Sequence, residues 1–114
     1  MKSRQIVVAL EAIAQESRLG IFRLLVQAGS EGLPAGRIAK AMNLPAPTLS
    51  FHLSQLKHAG LVDCRREGTS LIYTADFNTM NGLVGFLTEN CCGGGVACAP
   101  VCDVPPAKRP RKAK

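Results

Sequence analysis

The sequence predicts a mainly α-helical domain that carries one β-hairpin, on three observations. Apolar residues recur at helical spacing through most of residues 5–90, glycine and proline cut them into short segments, and two short β-rich runs flank the turn Glu67-Gly68-Thr69-Ser70. Hydrophobic residues make up 46% of the chain but aromatics only 4%, so Leu, Ile, Val and Ala must do the packing. At 114 residues this is one domain with a modest core, a composition that favours completing the core by dimerising.

The elements follow in order. Ile6, Leu10 and Ile13, joined by Val7 and Ala14, repeat at helical spacing and predict a first helix from about Gln5 to Ala14. A second runs from about Ser17 to Gln27 with Leu19, Phe22, Leu25 and Val26 on its apolar side, and Gly29-Ser30-Glu31-Gly32 breaks it. Pro34 opens a short third helix carrying Ile38, Ala39 and Met42. Asn43-Leu44-Pro45 is a tight connection to a fourth helix, about Ala46 to His58, in which Pro47 suits the first turn and Gly60 the end. The runs 61–66 and 71–74 form the hairpin. A last helix starts with Asp76 as its N-cap and reaches about Asn90, with Phe77, Met80, Val84 and Leu87 spaced as a seam for another helix.

Two short helices joined by a tight turn and followed by a hairpin match a winged helix-turn-helix. Leu49, Leu53 and Leu56 anchor the fourth helix, while Pro47, Ser50, Phe51 and Ser54 form its other face, with Thr48 and Gln55 at the margins. Small hydroxyls, an amide and one ring suit base edges and the thymine methyl in a major groove. Lys57, Arg65 and Arg66 flank that face and suit phosphates. A solvated amphipathic helix would carry much the same polar side; Phe51 argues against it, because an apolar ring there needs a partner, although packing on a neighbouring helix would also supply one. His52, at the edge of the core, reads as a histidine that satisfies a backbone group.

Charge divides the chain. Lys108, Arg109, Arg111, Lys112 and Lys114 account for five of its fourteen basic residues, leaving nine against eight acids in the rest. The net charge of +6 thus belongs mainly to the tail, and DNA binding by the body must rest on where charges lie. Residues 1–90 are expected to form the DNA-binding and dimerisation domain, 91–103 a cysteine-rich segment and 104–114 a disordered basic tail. There is no run of eighteen apolar residues and no signal-peptide core, so a cytoplasmic setting is expected, where cysteines are more often thiols than disulfides.

Four of the five cysteines, Cys91, Cys92, Cys98 and Cys102, fall within twelve residues. Thiolates are soft ligands, so the cluster points to thiophilic metals or metalloids, or to a thiol-redox switch. Gly93-Gly94-Gly95 lets the chain double back. Three thiolates suit the pyramid of trivalent arsenic or antimony; two suffice for a methylated arsenical; and Cys102 would supply the fourth ligand of a tetrahedral zinc site, which keeps zinc, cadmium and lead as alternatives. Cys64, on a predicted strand, reads as a small buried hydrophobe. No Cys-His-Asp or paired-carboxylate arrangement points to an enzyme, and DNA binding calls for no cofactor. A metalloid-sequestering protein whose helical body merely dimerises is the rival from another class.

Residues 5–90 resemble the ArsR/SmtB family of metalloregulatory repressors. The stretches that carry the resemblance are Leu10-Glu11-Ala12-Ile13-Ala14, Ser17-Arg18-Leu19, Ile21-Phe22-Arg23-Leu24-Leu25, then residues 50–62 from Ser50-Phe51-His52-Leu53 to Leu61-Val62, and Arg65-Arg66-Glu67-Gly68. The resemblance implies a homodimer held by the first and last helices, bound to an inverted-repeat operator when ligand-free and released by its inducer. Many arsenic-sensing relatives carry a cysteine pair at the start of the third helix, where this chain reads Leu33-Pro34-Ala35-Gly36. It is similar instead to members whose cysteines follow the last helix, and by that match Cys91, Cys92 and Cys98 are the expected As(III) ligands.

Overall fold

The computed structural model describes residues 2–90. Helices α1 (Ser3–Ile13) and α2 (Glu16–Ala28) lead through a 3₁₀ turn, Gly29–Glu31, into strand β1 (Leu33–Pro34). Helices α3 (Ala35–Met42) and α4 (Ala46–His58) come next, then strands β2 (Val62–Glu67) and β3 (Ser70–Ala75), and last α5 (Phe77–Thr88). The expected winged helix-turn-helix is therefore the fold observed. Among the described residues no helix is long and apolar enough to cross a membrane.

Local chemistry sets the boundaries. The Gln15 side chain caps α2 by accepting the Arg18 N–H at 2.9 Å, and Asp76 caps α5 by accepting that of Thr79 at 3.0 Å. Asn43 turns left-handed at φ 56°, ends α3 and lets the Leu44 N–H reach the Ala39 carbonyl at 3.0 Å. This is the tight turn that sets α3 and α4 apart.

The core gathers Ile21, Phe22 and Leu25 of α2, Ile38 of α3, Leu49, Leu53 and Leu56 of α4, and Leu61, Val62 and Ala75 around the hairpin. Helix α1 meets it through Ile6, Ala9 and Ala12. Val7 and Leu10, which share the helical apolar spacing of α1, are exposed, while alanine at 9 and 12 lets the helix approach its neighbours closely. The expected seam of α5 also divides. Phe77 and Met80 lean on the core beside buried Leu83, while Val84 and Leu87 stay exposed.

The sheet has three strands in the order β1-β3-β2, all antiparallel, rather than two. Leu33 and Pro34 pair with Tyr73 and Ile72 on its edge, where a proline without an N–H is tolerated. Gly32 makes this possible. At φ +71° it brings the chain so close to β3 that a Cβ would clash with the Tyr73 carbonyl and sit 2.6 Å from Thr74 Cγ2.

One polar link joins helices in this apolar core. From the first turn of α2, Arg18 donates through Nε to the Ala12 carbonyl of α1 at 2.6 Å, and its Nη1 lies 3.5 Å from Nδ1 of His52 on α4. Burial first, and the Arg18 charge second, hold the His52 imidazole below its ordinary value.

Two outcomes follow from these contacts. Gly32→Ala should destabilise the domain by roughly 2–3 kcal/mol, read as a lower urea midpoint at unchanged slope. Because the unfolded chain takes up a proton at His52 below about pH 6.5 while the folded one resists, the wild type keeps its full His52-dependent stability above that value and loses it as pH falls from there. Urea midpoints at pH 7.5 and 5.5 should therefore differ more for wild type than for His52→Gln.

Candidate nucleic-acid interface

A helix that buries one stripe must present the opposite one. With Leu49, Leu53 and Leu56 packed inward, α4 exposes Pro47, Thr48, Ser50, Phe51, Ser54, Gln55 and Lys57, every residue expected there from the sequence. Phe51 is 57% exposed, so among the described residues its ring is not covered by a neighbouring helix. Its nearest aromatic is the adjoining His52, at 5.9 Å between ring centroids and tilted by 58°. Successive residues on the helix diverge: Phe51 faces out, while His52 turns back toward Arg18.

Gln55 sits on the flank nearest α1, lining a cleft of about 370 Å³ with Glu11, Arg18 and His58. Thr48 lies on the same flank by helical spacing, one turn before His52.

The wing holds Arg65 and Arg66 on opposite faces of β2, as strand alternation requires. Arg65 pairs with Glu67 at 2.7 Å and also donates to the carbonyls of Ser30 at 3.4 Å and Glu31 at 2.9 Å. Its guanidinium thus lashes the wing to the 3₁₀ turn. Arg66 is exposed on the other face. The hairpin closes through Gly68 and Thr69 alone, with Gly68 at φ +64°, which suits the glycine that the loop carries.

Sequence reasoning passed over Arg37 and Lys40, both exposed on α3. The signal was present: residues 32–62 hold Arg37, Lys40 and Lys57 and not one acid. An anionic ligand therefore meets no carboxylate from the helix-turn-helix itself. The body's near-neutral total hides this, since its acids are confined to α1, α2, the 3₁₀ turn, the wing and the two ends of α5 among the described residues.

Cys64 lies opposite Tyr73 across the hairpin and is half-buried rather than fully buried. Burial, and then the neighbouring thiol, raise the Tyr73 phenol above its ordinary value. Among the described residues no three His, Cys, Asp or Glu side chains gather as a metal site. Cys91, Cys92 and Cys98, with Cys102, lie outside the described residues.

Comparison with known proteins agrees with this geometry. A helix-turn-helix domain family matches residues 13–65. The HTH-type transcriptional regulator YgaV of Escherichia coli is 28% identical over 79% of this chain and 89% of its own. The transcriptional activator HlyU of Vibrio cholerae is 31% identical over 79% of this chain and 81% of its own. Its solved structure superimposes with a TM-score of 0.64 at 30% identity, covering 81% of this chain and 99% of that one. The homodimeric winged helix-turn-helix DNA-binding domain of Mb0332 from Mycobacterium bovis, described as a possible ArsR-family transcriptional regulator, gives a TM-score of 0.62 at 30% identity, covering 81% of this chain and 85% of that one. The chain belongs to the winged helix-turn-helix transcriptional regulators of the ArsR/HlyU type, which are DNA-binding proteins.

Proposed function

We propose that this chain is an arsenite-responsive repressor that holds operator DNA as a homodimer and lets go when As(III) binds its C-terminal thiolates. The observation that carries the DNA half is the bare, acid-free reading face of α4, with Phe51 standing out from it. Its N-terminal half would enter the major groove. Lys57 and Arg66 would meet phosphates, and Arg65 would hold the wing at the right height through the 3₁₀ turn.

Dimerisation is supported by the apolar surface that one copy leaves open. Val7, Val8 and Leu10 on α1 and Val84 and Leu87 on α5 are all exposed, Leu87 by 60%. Such residues normally have a partner. The Mycobacterium bovis relative of this architecture is described as homodimeric. Two copies related by a twofold axis present two reading helices, which matches an inverted repeat.

The inducer assignment rests on chemistry and chain position. Cys91 and Cys92 come three and four residues after the end of α5, the helix with an open apolar side, and Cys98 follows a glycine hinge. Trivalent arsenic or antimony takes three such thiolates in a pyramid, and capturing them would order the segment against the end of α5. Reorienting one half of the dimer against the other would then spoil the match to successive grooves. Because ligand thiols must lose protons, the inducer should bind more weakly in acid.

The deciding experiment is fluorescence anisotropy of the full chain on its upstream DNA under reducing conditions, titrated with arsenite, antimonite, methylarsenite, zinc and cadmium. Arsenite should release the DNA, whereas release by zinc or cadmium alone would make the chain a divalent-metal sensor. Binding with no sequence preference would leave only a thiol buffer. Cys91→Ser, Cys92→Ser and Cys98→Ser should each bind DNA as wild type does and fail to release with arsenite; normal release by all three would remove these ligands from the mechanism. Lys57→Ala and Arg66→Ala should weaken binding to every sequence and each lower the salt slope by about 1, while Phe51→Ala should cost roughly 1–3 kcal/mol on the operator and little on random DNA.

A further inference from the structure

We propose that Arg18 is a positioning residue for DNA recognition, fixing α4 against α1 through its contacts with the Ala12 carbonyl and His52. The inference rests on the DNA-reading role of α4 argued above and adds to it a named link from the dimerising helices.

Among the described residues Arg18 is the one side chain hydrogen-bonded from helix to helix. Other inter-helix contacts in this core are apolar, and apolar contact is not directional. A leucine stripe keeps α4 seated but tolerates small rolls and slides of the helix along its groove. A guanidinium is different, because its N–H groups project in a fixed planar fork. Nε holds the Ala12 oxygen at 2.6 Å, an acceptor in the last turn of α1 that its own helix leaves unpaired. That leaves Nη1 directed at His52, 3.5 Å away, with His52 accepting as the neutral imidazole.

The position of His52 gives the link its reach. It follows Phe51 directly on α4, so any shift at His52 moves the base-reading face with it. At the other end, α1 packs on α5, the helix that leads to the thiols. Among the described residues no carboxylate pairs with Arg18, so its charge is not spent on a salt bridge. A rotation of α1 would therefore be passed to α4 by a rigid connector rather than dissipated in side-chain repacking.

The test uses the full chain, with Arg18→Met, Arg18→Lys, His52→Gln and the Arg18→Met/His52→Gln double variant. Each is measured for affinity to the operator and to random DNA, and for thermal midpoint. Each single change should weaken operator binding about tenfold, with random-DNA affinity unchanged. The double variant should lose no more than the worse single one, and lysine should not rescue, since a flexible ammonium lacks the fixed planar fork of the guanidinium. A merely structural role would lower the thermal midpoint while leaving operator affinity intact in chains still folded at the assay temperature. That result overturns the proposal, as do additive losses, full rescue by lysine, or an equal fall on random DNA. Should Arg18→Met fail to fold, His52→Gln decides alone, because it leaves the bond to Ala12 in place. A wild-type chain with no operator preference overturns the DNA-reading role and this link together, and is recognised without any variant.

Discussion

The face that α4 turns to solvent depends on three leucines. Leu49, Leu53 and Leu56 occupy one side of α4, and their burial against α2 and the hairpin contributes about 1.5–3 kcal/mol each. The helix consequently has one way to seat. Its opposite side, with three hydroxyls, an amide and a phenyl ring, is left in solvent by the same packing that stabilises the domain. Stability and the exposure of this face are two consequences of a single periodicity.

Around that helix the scaffold is fastened at a few directional points. Asn43 turns the chain between α3 and α4, Gly32 presses β1 onto β3, and Arg65 ties the wing to the 3₁₀ turn. These set the height of the wing relative to α4. Electrostatics then act on a fixed shape: with no acid between residues 32 and 62, Arg37, Lys40 and Lys57 face an incoming polyanion without a competing carboxylate. A total charge would not reveal this, because glutamates and aspartates elsewhere in the body nearly cancel it.

The helices and the exposed side of α4 were legible because their signals are local. Proline at 45 and 47, glycine at 60 and the leucine spacing bound α4 to the residue, and all nine expected DNA-facing side chains are exposed. What was not legible depends on distant parts of the chain. The β1 strand spans two residues and pairs with β3 some forty positions away, so no periodicity announces it. The apolar spacing of α1 does not show which side packs inward: Ala9 and Ala12 are buried while Val7 and Leu10 are exposed, and closeness of approach is something a hydropathy pattern does not register. Arg65 was expected to meet phosphate, and its use as a strut could not be foreseen without the 3₁₀ turn beside it. Likewise, His52 looked like a residue satisfying a backbone group, whereas its partner is the guanidinium of Arg18.

The same separation of local and distant effects bears on how a small ligand could empty an operator. In sequence the cysteines follow α5, whereas the proposed reading face lies on α4. Under the proposed function, an inducer held by those thiols would act by changing the relation of α5 and α1 to the rest. The exposed apolar side chains of those two helices are the surface on which the proposed dimer would form, so a thiol ligand bound next to α5 would act close to it. A coupling of about 1–3 kcal/mol is typical for such transitions, and in a twofold dimer it acts at both half-sites. Binding to two half-sites at once demands a fixed spacing, so a modest rotation at the dimer axis costs both contacts together. A rigid polar connector from α1 to α4 is what such a mechanism requires, because a purely apolar contact would let the reading helices stay on the DNA while the dimer axis moved.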